Sequence, residues 1–123
     1  MSYTYDDQNI FAKILRGEIP NKTVLETEHT LAFHDIYPQA PIHVLVIPKG
    51  PYVCYDHFCQ TASDAEIVDF TRTCGKVCEM MGVKDGGFRT IANAGENAIQ
   101  EVPHLHFHIL GGRNLGRMLA PAE

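Results

Sequence analysis

The sequence predicts an α+β fold built on a largely antiparallel sheet, and three observations predict it. Apolar residues recur at helical spacing in one window near the start and one in the middle. Between and after these windows lie short runs of β-branched and aromatic residues, bounded by Pro and Gly. The last run, Pro103-His104-Leu105-His106-Phe107-His108-Ile109-Leu110-Gly111-Gly112, alternates histidine with a large apolar residue. That is the period of a strand.

Residues 8–16 carry Ile10, Phe11, Ile14 and Leu15 at helical spacing, and Gly17 and Pro20 stop the helix. Strands are expected around Thr23–Glu26 and Thr30–Asp35, where β-formers cluster. Pro38-Gln39-Ala40-Pro41 is a turn. Ile42-His43-Val44-Leu45-Val46-Ile47 is a strongly apolar strand ended by Pro48, and Lys49-Gly50-Pro51 is a rigid exit. A long helix is expected from about Ala62 to Met81. Ser63 and Glu66 form a capping-box pair, Ile67, Phe70, Cys74, Val77 and Met81 make its apolar stripe, and Gly82 closes it. Asp85-Gly86-Gly87 turns into a strand over Phe88–Asn93, and a loop over Asn93–Ala98 leads to the histidine strand.

The 123 residues suit one domain over 1–123. Hydrophobic content of 45% and charged content of 20% are those of a soluble globular chain. No apolar run approaches the roughly 20 residues needed to cross a membrane. The polar, acidic start is unlike a signal peptide, so a cytoplasmic location is expected. A net charge of −5 argues against a polymeric nucleic-acid partner. It leaves room for a single nucleotide, which backbone N–H groups and a few side chains can hold. Cys54, Cys59, Cys74 and Cys78 include no Cys-x-x-Cys pair and are expected to be reduced. Cys74 and Cys78, spaced i, i+4, are expected to be buried.

On a strand, His104, His106 and His108 share one face, and Leu105, Phe107 and Ile109 share the other. The rings then lie about 7 Å apart, from a rise of roughly 3.3 Å per residue. Three readings compete: proton transfer and nucleophilic attack near neutral pH, a histidine-rich surface strand, and a metal site. One metal cannot easily hold all three rings. The outer Cα atoms are about 13 Å apart, which leaves the middle ring no room. A two-histidine site with an outside ligand stays open. His43, alone in an apolar strand, needs a polar partner and reads as a fourth member of the network.

The alternation of His104, His106 and His108, with the run from Asp35 to Lys49, the segment Ile10–Pro20, and Gly111-Gly112-Arg113, resembles the histidine triad (HIT) family. The resemblance covers about residues 8–117, leaving 118–123 as a tail, and is to the nucleotide-binding branch with phosphoramidase activity, bacterial-like members in particular. It implies a five-stranded antiparallel sheet with two helices, and a homodimer that joins two sheets. It implies a hydrolase that cleaves the P–N bond of purine nucleoside 5′-phosphoramidates such as AMP–amine conjugates, without a cofactor. A dinucleoside polyphosphate hydrolase and a nucleotide-binding regulatory protein are the alternatives.

The resemblance also implies roles. His106 would attack the α-phosphate, and His108 would contact phosphate and assist the leaving amine. His104 and His43 would form a hydrogen-bonded pair. Asp35 would accept from the ribose hydroxyls, and Phe11, Ile14, Phe33 and Ile36 would sandwich the purine. Asn93 and Gln100 would lie on the sugar and phosphate side. Glu101 replaces a phosphate-binding serine of eukaryotic relatives, and is expected to turn to solvent or pair with a cation such as an arginine of the segment from Arg113 to Glu123. Asn9 and Ala12 stand where some bacterial members carry a zinc-binding Cys-x-x-Cys, so no metal is expected.

Overall fold

The computed structural model describes residues 2–119; residues 120–123 of the expected tail lie outside the described residues. The elements run α1 (Ile10–Leu15), β1 (Thr23–Glu26), β2 (Thr30–His34), β3 (Ile42–Pro48), α2 (Tyr55–Thr61), α3 (Asp64–Met80), β4 (Phe88–Ala92) and β5 (Phe107–Gly111). The strands form one antiparallel sheet in the order β1-β2-β3-β5-β4. The fold is therefore α+β on an antiparallel sheet, as the sequence pattern predicts, with the five strands that the resemblance implies.

β3 lies at the centre, and its apolar run follows from burial on both faces. Val44 and Val46 face α3, in a core with Ala32, Ile109, Phe70 and Val77. Leu45 and Ile47 face the other way, against Phe11 and Ile14 of α1 with Leu31 and Phe33 of β2. By the same alternation His43 lies on the α1 face, with His108 on the neighbouring strand.

α1 starts where the Asn9 side chain accepts from the Ala12 N–H at 2.9 Å. α3 starts at a complete capping box: Ser63 Oγ accepts from the Glu66 N–H, and Glu66 Oε1 accepts from the Ser63 N–H, both at 3.1 Å. Phe70 and Val77 of its stripe are buried. Cys78 is buried as expected, but Cys74 is only half-buried. Burial nevertheless pushes the Cys74 thiol up to about 12, and all four cysteines are free thiols.

Two expectations need correction. Three α-helices are present among the described residues, not two, because Tyr55–Thr61 forms α2. Tertiary packing holds it: Phe58 is buried against Phe70 and Tyr52, while its N-cap Cys54 makes no side-chain cap. The histidine strand is also shorter than expected. Ladder pairing begins at Phe107, so His104 to His106 enter it as extended chain, tied by the Leu105 N–H to the Tyr52 carbonyl at 2.8 Å. β5 ends where close packing demands glycine. A Cβ on Gly111 would stand 2.7 Å from Val83, and one on Gly112, at φ +91°, 2.9 Å from Pro41.

Candidate active site

The α1 face of the sheet holds a cavity of about 410 Å³. Its apolar end is made by Phe11, Ile14, Phe33 and Ile36, and its polar end by Asp35, Asn93, Gln100, Glu101, His106 and His108. The strand alternation that buries Val44 and Ile109 on the α3 face puts His108 on this one. Ten of the expected site residues thus line one space. His43 lies buried in contact with His108, and His104 lies fully buried behind His106.

Hydrogen bonds fix which nitrogen of each ring carries a proton. His104 Nε2 is 2.8 Å from the Pro48 carbonyl. A carbonyl only accepts, so Nε2 is the N–H. Burial lowers the His104 pKa to about 4, so the ring is neutral at pH 7 and Nδ1 has a lone pair. The Tyr5 hydroxyl donates to that nitrogen at 2.6 Å.

The backbone carbonyl of His104 is in turn 2.8 Å from His106 Nδ1, which must therefore be protonated. Burial holds the His106 pKa below the ordinary histidine value, against the opposing pull of the His104 carbonyl, Asp35 and Glu101. The neutral ring is left with a lone pair on Nε2, in a side chain that lines the cavity.

A second chain runs through His43. Its Nδ1 accepts from the Gln39 N–H at 3.0 Å, so its Nε2 carries the proton. That N–H lies 2.9 Å from His108 Nδ1 and 3.4 Å from Asp35 Oδ2. His108 Nδ1 accepts, and its Nε2 is then an N–H donor. Burial, with the nearby His106 and His43, lowers the His108 pKa to about 4, and burial also lowers that of His43. At pH 7 one cavity-lining histidine thus offers a lone pair and the next offers a proton, with ring centroids 5.0 Å apart.

The expected pair of His43 with His104 does not form; His43 pairs with His108. Register is the reason. His43 stands opposite Leu110 and Leu45 opposite His108, so His43 and His108 are diagonal neighbours on one face. Extending that register sets His104 against Lys49, roughly 20 Å along the strand from His43. His104 finds the Pro48 carbonyl and Tyr5 instead.

Asp35, His43 and His108 bring three donor atoms within 4.8 Å of one another, a spacing that a metal ion could use. The hydrogen bonds fit an ion poorly. The Gln39 N–H occupies the lone pair of His43 Nδ1, so a metal on Nε2 would have to strip the ring to an imidazolate. Asp35 Oδ1 accepts from the Tyr37 N–H at 2.8 Å, which leaves acceptor capacity on a carboxylate that lines the cavity.

Gln100 serves the loop through its amide. Oε1 accepts from the Gly95 N–H, and Nε2 donates to the Val53 and Val102 carbonyls. Glu101 is exposed at the rim, and no ion pair to it occurs among the described residues. Arg113, just after β5, instead donates to the Gln39 and Asn114 carbonyls. Sequence reasoning missed Tyr5, whose contact with His104 spans 99 positions, and the backbone groups of Gln39 and Pro48 that set the tautomers.

Comparison with known proteins bears on the family and the fold. The HIT domain family model matches residues 16–115. A protein of Azospirillum brasilense described as an uncharacterized HIT-like protein is 58% identical, over 97% of this chain and 98% of its own. The purine nucleoside phosphoramidase of Escherichia coli strain K12 is 39% identical, over 93% of this chain and 95% of its own. A solved structure, the HIT family hydrolase from Clostridium thermocellum, superposes with a TM-score of 0.84 at 37% identity, covering 93% of this chain and 99% of that one. With the family's domain model matched over residues 16–115 and relatives above 30% identical covered almost end to end, the chain belongs to the HIT, or histidine triad, family.

Proposed function

We propose that this protein hydrolyses the P–N bond of purine nucleoside 5′-phosphoramidates, through a nucleotidyl-histidine intermediate on His106. The observation that carries the reading is the tautomer of His106: Nδ1–H held by the His104 carbonyl, Nε2 free in the cavity. Nε2 attacks the α-phosphorus, a P–N bond to His106 forms, and the bond to the amine breaks. The departing nitrogen takes a proton from solvent and leaves as the neutral amine, while His108 Nε2–H donates a hydrogen bond to a phosphoryl oxygen. Water then attacks the phosphorus, returns a proton to solvent and releases His106. The products are a nucleoside monophosphate and an amine. Positive charge that develops on the His106 ring is stabilised by the carbonyl already at its Nδ1–H.

The apolar end suits a purine, with the Phe11 and Phe33 rings edge to face at 5.7 Å. Asp35 suits the ribose hydroxyls, as an acceptor at the junction of the two ends. The E. coli relative's name supports the same chemistry.

The test is rapid quenching of the protein with the methylamide of AMP, followed by mass spectrometry of the peptide bearing His106. A nucleotidyl adduct on His106 is expected. His106→Asn should lose it, with turnover down by at least about 10³-fold. Adduct formation on another residue, or near-normal turnover of the variant, sinks the assignment. Faster turnover of diadenosine polyphosphates than of the amide would move the reading to that substrate class.

The proposal includes a homodimer. β4 is an edge strand that exposes Phe88, and its Thr90 lines an apolar groove with Tyr55, Cys59, Cys74 and Phe107. An unpaired edge next to such a groove is a surface that a second copy would cover. Sedimentation equilibrium should give twice the chain mass, and a monomer at micromolar concentration would refute it.

A further inference from the structure

We infer that Ile99 selects the leaving group, favouring amines with an apolar substituent near the scissile nitrogen; this rests on the P–N reading above. Three independent observations meet at this residue. Ile99 sits at φ 54°, ψ 54°, and is the one non-glycine residue with positive φ among the described residues. A β-branched side chain in that region is strained, since its Cβ crowds the backbone. The residue is 76% exposed although its side chain is wholly apolar. It also lines the same cavity as His106 and His108.

The surrounding loop holds the conformation. The Ile99 N–H donates to the Glu96 carbonyl at 3.0 Å, and the Gln100 N–H to the Gly95 carbonyl at 3.1 Å. The Gln100 side chain clamps the loop at Gly95, Val53 and Val102. Strain and apolar exposure both oppose folding, so the packing of the free protein gives this residue no reason to be isoleucine. A ligand does.

Direction of attack identifies which part of the ligand. His106 is 7% exposed and forms part of the cavity floor. In-line displacement sends the leaving group to the side of phosphorus opposite the attacking nitrogen. With attack from the floor, the amine and its substituent point to the mouth. Ile99 stands there, on the loop that leads into Gln100 and Glu101 at the polar end. An apolar substituent would cover the exposed isoleucine, and each would shield the other from water.

The experiment compares kcat/KM for two AMP phosphoramidates, one of 2-phenylethylamine and one of methylamine. Wild-type protein should prefer the phenylethyl compound. Ile99→Gly and Ile99→Asn both tolerate the backbone conformation and remove the apolar surface. Each should reduce the preference by about fivefold or more, less than a fully enclosed pocket gives. Ile99→Leu should retain it. A ratio that is the same in all four proteins, or a wild type that prefers methylamine, overturns the inference while the P–N reading stands. A wild type that cleaves neither compound overturns both.

Discussion

Tyr5→Phe removes a single oxygen, and the structure sets what that oxygen does. Its hydroxyl donates to His104 Nδ1 at 2.6 Å, and His104 is fully buried. The other ring nitrogen is committed to the Pro48 carbonyl at 2.8 Å, so rotation of the imidazole cannot recover a donor. Burial raises the Tyr5 pKa, so the phenol stays protonated throughout the useful pH range. The ring contact, edge to face with His104 at 5.6 Å, survives in phenylalanine. The substitution therefore isolates one buried acceptor left unpaired, which costs about 1–3 kcal/mol. For a chain of this length, that lowers Tm by about 4–12 °C. Urea denaturation should show the loss with m unchanged. Because the His104 carbonyl orients His106, kcat should fall more than KM rises. The ¹⁵N resonance of His104 Nδ1 should also move towards that of a free lone pair. A variant within about 0.5 kcal/mol of wild type, with an unmoved ¹⁵N resonance, would refute the reasoning, since that is the range of surface changes.

Further outcomes follow from the same geometry. Asp35→Ala should weaken ribonucleoside monophosphates by roughly 1.5–3 kcal/mol and 2′-deoxy analogues much less; equal losses in calorimetry would remove the ribose role. Glu101→Ser should change kcat/KM by less than about tenfold, since the carboxylate is exposed at the rim; a gain of about a hundredfold would show that it opposes the phosphate. His104 has a folded pKa of about 4 against an ordinary value of 6.5. The unfolded chain therefore binds the extra proton first, and stability is full above pH 6.5 and declines as pH falls towards 4. That one ring contributes about 3 kcal/mol across the window, and the lowered pKa values of His43, His106 and His108 add in the same direction. Equal unfolding free energies at pH 7 and pH 5 would contradict buried neutral histidines.

Elements with a local cause were legible in the sequence. The capping box of Ser63 and Glu66 needs only four consecutive residues, and the doubly buried strand Ile42–Pro48 needs only its own composition. α2 was not legible. Tyr55-Asp56-His57-Phe58 contains no strong helix former, and what stabilises it is Phe58 meeting Phe70 across the fold. That the histidines share a face was legible through strand alternation, because period 2 assigns a face, whereas Phe11, Ile14, Asp35 and Asn93 were placed beside them by the family resemblance alone. The pairing of the histidines was not legible, because alternation carries no register. His43 and His104 share a face, yet the β3 to β5 register separates them and gives His43 to His108.

This division bears on why the motif needs three histidines when the proposed chemistry uses two. His106 Nε2 is a nucleophile at pH 7 only if Nδ1 holds the proton, and the group holding it there is the His104 carbonyl, which any residue could supply. What the His104 side chain adds is a ring that satisfies two distant groups at once, the Pro48 carbonyl and the Tyr5 hydroxyl. A leucine there would leave both without a partner inside the fold, and a lysine would bury a charge. A neutral imidazole donates on one edge and accepts on the other. The first histidine therefore anchors the chain just before β5, and that anchoring sets the carbonyl on which the second depends. The third takes its orientation from His43, whose own tautomer is set by the Gln39 N–H. Both tautomer chains end on backbone groups, a carbonyl in one and an amide in the other. The proton pattern of the site is thus fixed by the fold before any substrate arrives.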